Sequence, residues 1–359
     1  MISISLCMIV KNEEATLGRC LDSVSGIADE IIIVDTGSTD HTLSIARQYT
    51  DFVYNFEWID DFSAARNFSF SKATQDYILW LDADDVIPPE EAEKFKQLKS
   101  TLSPDVDIVM MRYIIAFDAQ GRGTYSYYRE RLSKRSRNYR WCEPVHECLT
   151  LFGNILHADI SIHHKKIRPT PSGRNLAIYE GILEKNGILT PRGQYYFARE
   201  LKDNGQFARA AEFFTQFLSS RLGWREDNIN ACSELARCYN RLSRPKDALR
   251  ALVRSFEYDL PRPEVCCQIG YHYKQATDYE KAVFWFDLAL RVNVPEDSWG
   301  FQQPDYWGYI PSIELAFCYS KLGNLGKAIA YNEKAAGYKP EAQSVQINRT
   351  YFASLQADN

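Results

Sequence analysis

The chain has 359 residues, 45% of them hydrophobic, and a formal net charge of −5. That length buries a sizeable core in about two domains of roughly 150 residues and excludes a disordered chain. The acidic balance gives no general basis for binding nucleic acid or an anionic membrane. Nine scattered cysteines sit in apolar or helical patterns, which reads as reduced-thiol usage rather than a secreted disulfide framework or a zinc site.

Residues 2–10 are apolar but lack a basic leader and a small-residue cleavage site, so they read as a first strand. No apolar stretch reaches the roughly 20 residues that span a bilayer, and a cytoplasmic location is expected. Next in order come a helix over 14–23, a strand over 30–35, a helix over 41–49, a strand over 52–56, a helix over 62–73 and a strand over 77–81. This β-α-β-α alternation predicts an α/β domain with a mostly parallel sheet covered by helices on both faces. Such sheets bind ligands beyond the carboxyl ends of their strands. Three stretches stand there: Lys11-Asn12-Glu13, Asp35-Thr36-Gly37-Ser38 and Asp82-Ala83-Asp84-Asp85.

Past a Pro- and Gly-punctuated stretch over 165–193 the texture changes to paired helices. Small residues recur at comparable places, Ala211, Ala248, Ala282 and Ala328, the first three spaced by 37 and 34 residues. These segments resemble tetratricopeptide repeats, whose period is about 34. The expected organisation is an α/β domain over 1–175, a linker over 176–192, an all-α solenoid over 193–345 and a tail over 346–359. An aromatic-rich insertion over 295–311 widens the last interval and reads as a loop packed on the solenoid, with an acceptor-contacting lip as the alternative.

The chemistry is densest after residues 77–81, a continuous apolar run that ends in Asp82, Asp84 and Asp85. Clustered carboxylates at a strand end repel unless a cation separates them, and oxygen-rich sites of this kind suit Mg²⁺ or Mn²⁺. The bland explanation is an acidic helix start, since Pro88-Pro89-Glu90-Glu91 follows. Asp35 likewise ends a strand, and capping of the next helix by Ser38, Thr39 or Asp40 leaves its carboxylate for the ligand crevice. A basic run, Arg122, Arg129, Arg131, Lys134, Arg135, Arg137 and Arg140, is either a solvated face or a counter-charge for a diphosphate.

Three blocks in order, Met8-Ile9-Val10-Lys11-Asn12-Glu13-Glu14, residues 30–40 and Leu81-Asp82-Ala83-Asp84-Asp85, resemble the family 2 glycosyltransferases of GT-A fold. Asp61-Phe62-Ser63-Ala64-Ala65-Arg66-Asn67 is similar to a segment of the subgroup holding lipopolysaccharide-core glucosyltransferases and bacteriocin peptide S-glycosyltransferases. The resemblance implies that Val10, Asn12 and Glu13 contact the nucleoside beside Asp35, that Asp82 and Ala83 lie against the nucleotide, and that Arg66 or Asn67 approaches it. It further implies Asp84 as a metal ligand and a late histidine as another. For that histidine His163 is favoured as the first after the strand, although strand alternation puts His164 on the face of Ile160 and Ile162. Inversion at a sugar carbon needs a base to deprotonate the acceptor. Val145-His146-Glu147 is similar to an element of the subgroup, so Glu147 is the first choice, with His146 and Asp85 behind it.

The expected activity is an inverting, Mn²⁺- or Mg²⁺-dependent glycosyl transfer from a UDP-sugar. A polypeptide engaging the repeats is the favoured acceptor, with a cell-envelope glycan or lipid-linked acceptor as the alternative. The repeats also offer a homodimer surface. A catalytically inactive binding scaffold is the competing class.

Overall fold

We describe residues 1–118, 120–167, 173–293 and 303–357 in a computed structural model, which divides into two units, the first ending at Gly187. In the first unit the order is β1 (Ile4–Val10), α1 (Leu17–Ser23), β2 (Glu30–Asp35), α2 (Thr42–Ala46), β3 (Val53–Asn55), α3 (Phe62–Phe70) and β4 (Tyr77–Trp80). It continues with β5 (Asp85–Val86), α4 (Pro89–Thr101), β6 (Ile108–Phe117), β7 (Gly123–Lys134), β8 (Trp141–Cys142), β9 (Cys148–Leu149), β10 (Ile155–His164) and α5 (Arg174–Asn186). Eight strands form one sheet in the order β3-β2-β1-β4-β7-β6-β10-β5. The pairs from β3 to β4 and the β6–β10 pair are parallel, while β7 runs antiparallel to both neighbours and β5 antiparallel to β10.

Alternation divides the central strands between two cores. Leu6 and Met8 of β1 and Tyr77 and Leu79 of β4 pack on one face with α1 and α4 residues such as Leu17 and Phe95. Cys7, Ile78 and Trp80 pack on the other with Phe70 and Trp141. Helix α3 starts at a cap: the Asp61 carboxylate accepts from Ala64 N at 2.9 Å, an interaction of about 1 kcal/mol. The strands that carry the three sequence blocks run toward one edge, because β1, β2 and β4 are parallel: Val10 pairs with Asp35, and Trp80 pairs with Cys7, leaving the turn after β4 to continue toward that edge.

The stretch expected to be a linker carries α5, anchored by the buried Tyr179, whose hydroxyl donates to Val145 O at 3.2 Å. The second unit is helical: α6 (Pro191–Asp203), α7 (Phe207–Ser220), α8 (Arg225–Arg241), α9 (Pro245–Arg254), α10 (Pro263–Gln275), α11 (Tyr279–Arg291), α12 (Tyr309–Lys321), α13 (Leu325–Tyr338) and α14 (Gln343–Ala357), the last standing where a tail was expected. Ala211, Ala248, Ala282 and Ala328 are all buried in the second helix of a pair, where only a small side chain lets the partner helix approach. The turns between paired helices need the left-handed conformation, which Gly205 and Gly323 adopt at φ 77° and 73°. Of the insertion, Trp299 and Phe301 lie outside the described residues, and Tyr306 packs against Cys266, Phe286 and Leu315.

Candidate active site

The turn after β4 is closed by its own backbone: Asp85 N donates to Asp82 O at 3.0 Å, and Asp82 N donates to Asp85 Oδ2 at 3.0 Å. The carboxylates of Asp82 and Asp85 take different partners. Asp82 Oδ1 accepts from Arg66 Nη2 at 2.7 Å, while Asp85, fully buried, accepts from Arg131 Nη1 at 2.9 Å and from the Tyr113 hydroxyl at 2.8 Å. Asp84 Oδ1 lies 3.3 Å from His164 Nδ1. Donor atoms of Asp84, Asp85 and His164 fall within 4.8 Å of one another, the one such cluster of His, Cys, Asp and Glu among the described residues. Two carboxylates and an imidazole suit a Mn²⁺- or Mg²⁺-sized cation, so the donor set fits one.

The charges differ between the two sides of the turn. Burial opposes the charged form of His164, but its contacts with Asp84 and Asp85 outweigh that and raise it to about 9. Burial likewise opposes ionisation of Asp82, and the Arg66, Arg131 and Arg129 charges overcome it, holding the carboxyl at about 2.

Arg66 joins this turn to the loop between β8 and β9. Its Nε donates to Glu147 Oε1 at 2.7 Å while its Nη2 holds Asp82, and its guanidinium lies 4.8 Å from the Trp80 ring centre and 4.9 Å from that of Trp141. The loop is strained and tied down. Glu143 and His146 sit in the left-handed region at φ 73° and 54°, unusual for residues other than glycine. Phe62 N donates to Pro144 O at 2.8 Å and Ser63 Oγ to Glu143 O at 2.5 Å, so the start of α3 holds it from below.

At the ends of β1 and β2, Asn12 is left-handed at φ 57° and its Oδ1 accepts from Thr39 N at 2.7 Å. Thr16 Oγ1 donates to Glu13 Oε2 at 2.6 Å. Asp35 is buried and accepts from Gly37 N at 3.1 Å and Ser38 N at 3.1 Å, with Gly37 at φ 102°.

The profile of "Glycosyl transferase family 2" matches residues 5–154, which hold the strand ends at Val10, Asp35 and Trp80, and that of "Tetratricopeptide repeat" matches 263–293 and 313–341. This chain joins a family 2 glycosyltransferase domain to tetratricopeptide repeats. It is similar to a TPR repeat-containing protein of Synechococcus elongatus, 29% identical over 95% of this chain and 76% of that one. It is also similar to the SPbeta prophage-derived glycosyltransferase SunS of Bacillus subtilis, 28% identical over 55% of this chain and 49% of the relative. The lipopolysaccharide core biosynthesis glycosyltransferase LpsC of Rhizobium meliloti is 27% identical over 53% of this chain and 70% of its own length. The chain thus spans about half of SunS and larger shares of the other two.

Within the glycosyltransferase domain several expected site residues have other tasks. Because Ile160 and Ile162 face the core, it is His164 that joins the acidic turn, and His163 points the other way, 4.9 Å from the Phe117 ring centre. Asp85 lies beneath the surface with Arg131 and Tyr113 on its oxygens, so it offers no carboxylate to an acceptor. Asn67 donates to Trp141 O at 3.0 Å and accepts from Trp141 N at 2.9 Å, clamping β8 as a strand would. The Val10 side chain belongs to the core, Ala83 is buried, and the Asp35 carboxylate holds its own turn. Arg66, only 7% exposed in its side chain, bridges two carboxylates of the site.

Three of the seven residues of the basic run are ion-paired with other acids: Arg137 with Asp107 at 2.7 Å, Arg122 with Asp118 at 2.7 Å and Arg129 with Glu130 at 3.2 Å. Sequence reasoning missed Tyr113 and the inward turn of Arg131. Val109 pairs with Leu132 and Met110 with Glu130, so Arg131 is the extra residue of a β-bulge, and a bulge breaks the alternation that a sequence pattern can show.

Proposed function

We infer that the protein transfers a sugar from a UDP-sugar to a polypeptide side chain with inversion at the anomeric carbon. The observation that carries the reading is the convergence of Asp84 and Asp85, which follow β4 within the matched residues 5–154, with His164 at the end of β10, just past that match. Asp84 and His164 would hold a Mn²⁺ or Mg²⁺ ion, whose charge stabilises the departing diphosphate. Asn12 and Glu13 would form the rim beside the uridine, on the turn that the Asp35 carboxylate holds in place. The bond from C1 to the phosphate oxygen breaks with its electrons going to UDP, and the acceptor heteroatom bonds to C1 from the opposite face. Its proton passes to Glu147, which Arg66 holds beside the acidic turn. A polypeptide acceptor is supported by the helical repeats, whose stacking forms an extended binding surface. The similarity to LpsC supports a second reading, transfer to an envelope glycan.

The test is UDP release from a panel of UDP-sugars supplied with cell lysate, with Mn²⁺ or a chelator, followed by mass spectrometry of the modified species. Release that needs the metal, vanishes in Asp84→Ala and falls about 10²- to 10⁴-fold in Glu147→Gln is expected. No release from any donor by the folded wild type supports the inactive scaffold instead.

A further inference from the structure

We propose that Arg131 is the positioning residue of the cation site, acting through Asp85. It rests on the reading of Asp84 and His164 as cation ligands.

Arg131 is fully buried, and its guanidinium lies between two rings, 3.9 Å from the Trp80 centre and 4.3 Å from that of Tyr113. Only Nη1 has hydrogen-bond partners, Asp85 Oδ2 at 2.9 Å and Trp80 O at 3.2 Å. Nε and Nη2 are buried with no hydrogen-bond partner among the described residues. An arginine held this way is a poor device for stability. Desolvating a guanidinium is expensive, a single carboxylate returns little of it, and apolar replacements of buried pairs are often neutral or stabilising.

What the arrangement does provide is direction. The β-bulge at Arg131 turns the side chain inward under the acidic turn, and the flanking rings leave the guanidinium one plane to lie in. Its Nη1 then fixes Asp85 Oδ2, the same oxygen that accepts from Asp82 N and so closes the turn. The other oxygen is fixed by Tyr113, whose hydroxyl lies 2.8 Å from both Asp85 Oδ1 and His164 Nδ1. Arg131 therefore sets the turn that presents Asp84. It also offsets the Asp85 charge, which would otherwise repel that of Asp84 at the same site.

The test is a titration of the full-length protein with Mn²⁺ alone, reading the free ion by electron paramagnetic resonance well below the thermal midpoint of each variant. Loss of a group that orients metal ligands weakens metal binding by about 10- to 100-fold, and Arg131→Met is expected to do so while remaining folded by near-ultraviolet circular dichroism. Arg131→Lys keeps a cation beside Asp85 without the planar fork, and its affinity is expected between those of the wild type and Arg131→Met. Should Arg131→Met not fold, Arg131→Lys decides alone. Mn²⁺ affinity within twofold of wild type in the folded variant, with only the thermal midpoint lowered, leaves Arg131 a structural residue and overturns the proposal. A wild type that binds no Mn²⁺ overturns the underlying cation reading instead.

Discussion

Arg66 lies 2.7 Å from a carboxylate on each side, and two indole rings cover its guanidinium, so removing it leaves two acids without their counter-charge. Breaking a fully buried pair costs about 3–5 kcal/mol. Here solvent reaches Asp82, whose side chain is 35% exposed, so Arg66→Met is expected to lower unfolding free energy by about 2–3 kcal/mol in urea titrations. Asp227 on α8 shows the opposite imbalance: burial raises its carboxyl to about 6, more than Arg192, 3.8 Å away, offsets. With its folded pKa above the ordinary 3.8, the native state binds the proton more tightly. Stability from this group is therefore full below about pH 4 and is lost as pH rises through about 6. Asp227→Asn should flatten that part of the stability profile and raise stability at pH 7 by up to about 3 kcal/mol.

At the scale of elements, the paired helices depend on small residues where axes approach. Ala282 of α11 is fully buried beside Cys266, Phe286 and Leu315. Ala282→Leu forces extra methylenes into that contact and is expected to cost about 1–3 kcal/mol, seen as a lowered thermal midpoint of the helical unit with Mn²⁺ affinity unchanged. The first unit's elements were legible in the sequence wherever an apolar run was bounded by charged or turn residues, as β2 was by Glu30 and Asp35. Strand β7 was not, because a bulge interrupts its alternation and its charges resemble a solvated run. Helices α5 and α14 were missed as well: nearby Pro and Gly residues favoured a linker reading for α5, and a polar terminal stretch favoured a tail for α14.

Across the whole molecule the cysteines give a direct check on packing in both units. Seven of the nine are buried, Cys148 is half-buried and Cys142 is exposed. Burial pushes the thiols of Cys7, Cys232, Cys266 and Cys318 up to about 12, far from the reactive thiolate range. Ellman's reagent should therefore titrate one or two thiols in the native protein and all nine in guanidinium, and reductant should leave the thermal midpoint unchanged. Three or more fast thiols in the native state would contradict this packing. Among the described residues no helix is long and apolar enough to cross a membrane.

The order of elements from β1 to β4, the acidic turn at Asp82-Ala83-Asp84 and the period of the repeats were determined by the sequence itself. Each is a local property: apolar periodicity, turn chemistry and spacing act over a few residues to a few tens. Which side chains meet was decided by tertiary structure. His164 rather than His163 reaches Asp84 because the core claims the face of Ile160 and Ile162. Asn67 is drawn to Trp141, 74 positions away, and Arg66 to Glu147, 81 positions away. Contacts at such separations depend on strand register and on the bulge in β7, which are set by the pairing of distant segments and leave no local signature.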